Sequence, residues 1–189
     1  YSKASIRRMQ RPGAVAHLPV LCVGNLVAGG AGKTPTAIMI ATLLKAGGYK
    51  PVFLTRGYGG RERGPILVDL QKHTALDVGD EAPLLARIAP TIVASDRVAG
   101  AELARRRGDV VVMDLDQVQG IGNGRVIPAG PLRAPLNVQI PLIDASIVIG
   151  DQPQDDANWQ GVTGKPVFHA RLLPNNLEIG RLQGLRVLA

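Results

Sequence analysis

Apolar residues in this chain fall into short runs separated by turn-forming clusters, and the runs alternate between two kinds. Pro19–Val23, Val52–Thr55, Thr91–Ala94 and Asp109–Met113 lack the in–out alternation of a half-exposed strand, which is the pattern of strands covered on both faces. Between them lie helical stretches at Thr34–Ala46, Asp80–Ala89 and Arg97–Arg107. The first is apolar nearly all round, as suits a helix wedged on a sheet, and Gly47-Gly48 closes it in the C-cap position. A short strand is expected at Ile66–Leu70, and two more at Ala145–Ile149 and Pro166–Ala170. Strands alternating with helices predict an α/β fold, a mainly parallel sheet flanked by helices. In such sheets ligands gather at the carboxyl ends of the strands, here residues 24–34, 55–60, 95–97 and 114.

The length of 189 residues allows one domain plus the start of another. Residues 1–18, with Lys3, Arg7, Arg8, Arg11 and His17 around a Pro12-Gly13 break, read as a basic arm, either a solvated tail or a segment adhering to an anionic membrane surface. Residues 19–150 form the expected core, and 151–189 a linker and the start of a smaller C-terminal subdomain. Tyr1 in place of Met, and the strand-like Arg186–Ala189, read as cut ends of a longer protein.

Composition then narrows the function classes. With 46% hydrophobic and 20% charged residues the chain can build a core, which excludes a mostly disordered protein. No apolar run approaches the ~18 residues that would span a bilayer. A net charge of +7 favours anionic ligands, but 3% aromatic residues leave little for base-stacking platforms, so no nucleic-acid partner is expected, and no protein partner is indicated. Cys22, the single cysteine, excludes an internal disulfide and reads as an inert thiol inside the first strand. His17, His73 and His169 share no metal-ligand spacing and read as structural.

The strongest chemical signal is Gly24-Asn25-Leu26-Val27-Ala28-Gly29-Gly30-Ala31-Gly32-Lys33-Thr34, between a strand and a helix start. Its glycines let successive backbone N–H groups turn inward around a polyphosphate, and the helix that follows adds the positive end of its dipole. Gly29, Gly30, Ala31, Gly32, Lys33 and Thr34 are therefore the expected nucleotide site, Lys33 reaching the β- and γ-phosphates and the Thr34 hydroxyl binding Mg²⁺. Pro35 fits the first helical turn. Val27 stands where the usual G-x-x-x-x-G-K-[ST] pattern has its first glycine. A dinucleotide-binding G-x-G-x-x-G fails because Pro35 would occupy its last position. Phosphoryl transfer also calls for an acid at a strand end to hold the metal, and Asp114 closes the Asp109–Met113 run.

Val23–Pro35, Thr55–Gly60, Val78–Pro83, Asp96-Arg97 and Gly120–Leu132 resemble, in order and spacing, the tetraacyldisaccharide 4'-kinase family, the lipid A 4'-kinases of Gram-negative bacteria. The resemblance implies a P-loop kinase of the membrane-associated branch. It would transfer the ATP γ-phosphate to the 4'-hydroxyl of a tetraacylated glucosamine disaccharide 1-phosphate, giving lipid IV-A. It also implies Mg²⁺ dependence and a peripheral position on the cytoplasmic face of the inner membrane, with residues 1–18 as the remnant of a membrane-associated helix region. Asp80 matches the family's catalytic base; without the resemblance it reads as a helix N-cap. Glu81 reads as a metal ligand or as a solvated first-turn glutamate. Arg56, Tyr58, Asp96, Arg97, Asn123, Arg125 and Arg133 are the implied substrate contacts, the arginines suiting phosphate or sugar.

Two readings compete with the kinase. One is a P-loop switch ATPase controlling partner or membrane binding, which would lack the block at 120–133. The other is a nucleotide-binding remnant without catalysis. The family resembles D-D-G-F-Q and a further strand after the position of Asp114, whereas here Asp114 runs straight into Leu115-Asp116, so a segment is read as missing at that junction.

Overall fold

The computed structural model describes residues 17–24, 32–114, 135–149, 164–171 and 173. The chain runs β1 (Val20–Val23), α1 (Lys33–Ala46), β2 (Pro51–Thr55), β3 (Ile66–Leu67), α2 (Ala75–Val78), α3 (Glu81–Ala86), β4 (Thr91–Val93), α4 (Arg97–Ala104), β5 (Val110–Asp114) and α5 (Leu136–Gln139). These lie in a unit of residues 1–139; a second unit, 140–189, holds a 3-10 turn at Ile140–Leu142 and the parallel pair β6 (Ser146–Ile149) and β7 (Val167–Ala170).

The five strands of the first unit pair in the order β1-β5-β2-β4-β3, all parallel except the two-residue β3. Every residue of β2 is buried. Its side chains divide by face. Phe53 joins Val23, Val112, Ala37 and Ala41 of α1 and Leu85 of α3, while Val52 and Leu54 join Val111, Ile92 and Ala104 of α4. Helices on both faces explain why the strand runs are apolar without alternation. A third cluster, Val68, Val78, Ala82 and Val93, seats α2 and α3 beside the sheet edge.

Small residues let α1 approach the sheet: Thr36, Ala37 and Ala41 are its buried positions. Lys45, in its last turn, donates through Nζ to the Ile88 carbonyl at 3.0 Å, just beyond the end of α3.

The parallel α/β architecture matches the sequence pattern, with differences that have local causes. Strand β1 is the sheet edge, so Leu21 and Cys22 are exposed and Cys22 is not the core thiol expected. Although α1 is apolar all round, it buries one side only, and Met39 and Leu43 face outward. Helix α3 stops at Ala86, because Ile88 and Ala89 both turn back to the Leu85 carbonyl. Helix α4 ends at Ala104, leaving Arg105, Arg106 and Arg107 in an exposed turn where cations meet the helix carbonyls. The one-turn α2 and α5 were not foreseen.

Leu54 is fully buried at the centre of the sheet. Leu54→Ala is expected to lower stability by about 2–5 kcal/mol, measured as the shift in urea unfolding free energy.

Candidate active site

The parallel register brings four carboxyl ends to one edge: Val23 pairs with Asp114, Leu54 with Met113, and Thr55 with Val93. The predicted glycine loop leaves this edge. Gly29, Gly30 and Ala31 lie outside the described residues, and the chain is picked up at Gly32, whose left-handed backbone (φ 77°, ψ 19°) caps α1. Its carbonyl accepts the Thr36 N–H at 2.9 Å, so α1 begins at Lys33 and Thr34, both half-buried. The first N–H groups of this 14-residue helix point back toward the sheet edge, where an anion is favoured.

Thr34 Oγ1 donates to Glu81 Oε1 at 2.7 Å, across 47 residues of sequence. Two of the three expected metal ligands are thereby side by side, and Asp80 directly precedes Glu81 at the start of α3. Asp80 occupies the N-cap position, yet its side chain makes no capping bond and is exposed. The carboxylate is left available for other chemistry. For the third ligand, Asp114, the structure describes the strand end but not the side chain.

The turn before Asp80 is held by backbone packing against the loop after β2. Gly79 has φ +83°, and a Cβ there would stand 2.5 Å from the Tyr58 carbonyl oxygen; one on Gly57 (φ +68°) would stand 2.8 Å from the Val78 carbonyl. Neither position accepts a side chain. The contact is completed by Arg61 N–H donating to Leu76 O at 3.1 Å and Glu62 N–H to Asp77 O at 2.8 Å. Sequence reasoning missed the start of this turn, where Asp77 Oδ2 accepts the Thr74 N–H at 2.8 Å and the Thr74 hydroxyl at 2.7 Å. The spacing Thr74-x-x-Asp77 is a capping-box signal that would have found it.

Among the expected substrate residues, Arg56 and Tyr58 are exposed on the β2 loop, Tyr58 at 80%. Asp96 caps α4, accepting the N–H groups of Val98 at 2.9 Å and Ala99 at 3.2 Å, and Arg97 is half-buried at that helix start. Asn123, Arg125 and Arg133 lie outside the described residues. No group of three or more His, Cys, Asp and Glu able to hold a metal occurs among the described residues. His73 serves a turn, its Nδ1 accepting the Asp69 N–H at 2.9 Å.

Comparison with known proteins returns one family throughout. Residues 2–116 and 109–189 match the family model for tetraacyldisaccharide-1-P 4'-kinase. The tetraacyldisaccharide 4'-kinases of Rhodopseudomonas palustris strain BisB5 and Methylobacterium sp. strain 4-46 are 48% and 49% identical over the whole of this chain. The chain spans 62% and 63% of their lengths. A crystal structure of the "apo" form of LpxK from Aquifex aeolicus in complex with ATP is similar with a TM-score of 0.66 and 26% identity, over 88% of this chain and 58% of that one. The alignments to the two relatives run over 208 positions against 189 residues here, so the relatives carry at least 19 positions that this chain lacks. The two stretches of the family match meet at 109–116, around the Asp114–Leu115 junction.

Gly79→Ala forces a side chain into the left-handed region and against Tyr58. It is expected to cost about 1–3 kcal/mol of stability, measured by urea denaturation.

Proposed function

Since the chain belongs to the tetraacyldisaccharide-1-P 4'-kinase family, we propose that it transfers the ATP γ-phosphate to the 4'-hydroxyl of a tetraacyldisaccharide 1-phosphate, forming lipid IV-A in lipid A biosynthesis. The observation that carries this reading is the 2.7 Å bond from Thr34 to Glu81, which joins the phosphate-loop helix to the Asp80-Glu81 pair. Lys33 and the N-terminal N–H groups of α1 grip the polyphosphate, with Gly29, Gly30, Ala31 and Gly32 wrapping it. Asp80, with no capping bond to hold it, accepts the proton of the 4'-hydroxyl. The hydroxyl oxygen then forms its bond to the γ-phosphorus as the bond to the β-phosphate oxygen breaks and ADP leaves. Arg56 and Arg97, with Arg125 and Arg133, offset phosphate charge in a loose transition state. Tyr58, Asp96 and Asn123 complete the acceptor side.

A hydroxyl beside a carboxylate is an all-oxygen donor set, which suits Mg²⁺. Thr34, Glu81 and Asp114 would hold the ion, which when bound neutralises charge on the phosphate oxygens. The bond from the Thr34 hydroxyl holds Glu81 beside the start of α1 for that task.

The acceptor is a lipid, so the enzyme works at a membrane. No helix among the described residues is long and apolar enough to cross one. Residues 1–18, with their basic side chains, adhere to the anionic surface, giving a peripheral position on the cytoplasmic face of the inner membrane.

With labelled ATP and the disaccharide 1-phosphate, thin-layer chromatography is expected to show label in the lipid. Label released only as phosphate would instead identify a switch ATPase, and binding without turnover a remnant. Lys33→Ala is expected to abolish transfer while leaving the fold intact by circular dichroism. Asp80→Ala is expected to cut kcat by about 10²–10⁴-fold with ATP affinity unchanged; equal kcat in that variant dismisses it as base.

A further inference from the structure

Helix α2 is a single turn, too short to persist without outside support. At its start, both hydrogen bonds to Asp77 Oδ2 come from Thr74, and the Thr74 carbonyl accepts the N–H groups of Asp77 at 3.0 Å and Val78 at 3.1 Å. In its middle, Leu76 and Asp77 carry the loop leaving β2 on their carbonyls. At its end, Val78 is a fully buried plug among Val68, Ala82 and Val93. Only Val78 and Gly79 separate Asp77 from Asp80, and Gly79 is pressed on the Tyr58 carbonyl.

The Asp77 carboxylate bonds to Thr74 alone, within its own turn, and to none of the site residues. The Thr74 hydroxyl, then the Thr74 N–H, aided by the nearby charges of Arg61 and His73, hold its carboxyl below the ordinary carboxylate value. It therefore stays ionised, and fully able to accept, at neutral pH.

We infer that Asp77 is a positioning residue: by closing the turn of α2 it sets where Asp80 and Glu81 stand relative to Thr34. The path is short and stiff. Cap, buried valine and glycine contact leave the chain little freedom before it enters α3, so the reach of Glu81 to Thr34 depends on the cap. The catalytic part of this inference rests on the proposed phosphoryl transfer; the geometric part does not.

The test is a double-mutant cycle on the full chain, read by urea unfolding. Thr34→Val removes the hydroxyl that meets Glu81 and lowers the wild-type midpoint. With Asp77→Ala already present, that loss is expected to shrink at least twofold. In an Asp77→Asn background, which keeps an oxygen acceptor for Thr74, the full loss returns. Equal losses in the wild-type and Asp77→Ala backgrounds overturn the inference and leave Asp77 a local cap. Should Asp77→Ala fail to fold, Thr74→Val, which deletes only the hydroxyl half of the cap, takes its place in the cycle. The second readout is turnover. Asp77→Ala is expected to lower kcat about tenfold or more with KM for ATP unchanged, and Asp77→Asn to recover it; an unchanged kcat in Asp77→Ala also overturns the inference. A wild-type chain that transfers no phosphate counts against the proposed function, and the unfolding cycle still decides the role of Asp77.

Discussion

Parallel pairing of β1, β5, β2 and β4 is the constraint on which the rest of the first unit depends. A parallel neighbour is reached only by a crossover that brings the chain back to the same end, so each strand delivers its following loop to one edge. The crossovers are α1, α3 and α4, and they cover the sheet on both faces, which only apolar strands such as Val52-Phe53-Leu54 tolerate. Burial therefore fixes more than stability. It fixes the register that sets Val23 beside Asp114 and Thr55 beside Val93, and with it the place from which the glycine loop, the β2 loop and the turn into α4 depart.

On that edge, precision comes from backbone rather than from side chains. The loop after β2 and the turn before α3 meet through Gly57, Tyr58 and Gly79 at distances a Cβ would forbid. Glycine raises the entropic cost of ordering such a segment, yet a contact between two backbones has no rotamers to lose. The stretch that leads into Asp80 and Glu81 consequently sits on a fixed base, and the proposed phosphoryl transfer, mostly positioning and charge neutralisation, would benefit from one.

The strands and the two longer helices were legible because their signals are dense and local: β-branched runs such as Asp109–Met113, and the break at Gly47-Gly48. The helix start at Lys33 and Thr34 was legible because a strand, a glycine-rich stretch and a Pro in the first turn occur in that order. The Thr34–Glu81 contact was not legible from spacing, since it spans 47 residues and depends on which helices share a face of the sheet. Exposure of Cys22 was hidden for a related reason: β1 has the composition of a central strand, and its place at the edge follows from strand order. Helix α2 was missed because a four-residue turn has no periodicity to read, though its Thr74–Asp77 cap is written in the sequence. Asp96 shows the opposite case, a residue singled out for ligands that also has a plain structural duty as the cap of α4.

Helices α1 and α3 are tied at two well-separated points, Thr34 to Glu81 near their starts and Lys45 to Ile88 near their ends. One tie would act as a pivot; two make a linkage. Sliding of either helix along the other strains both ties at once, and the pair rides on the sheet as a single lever. Under the proposed function, a polyphosphate gripped at the first turn of α1 would then act on the footing of Asp80 as well, because the two helices would shift together.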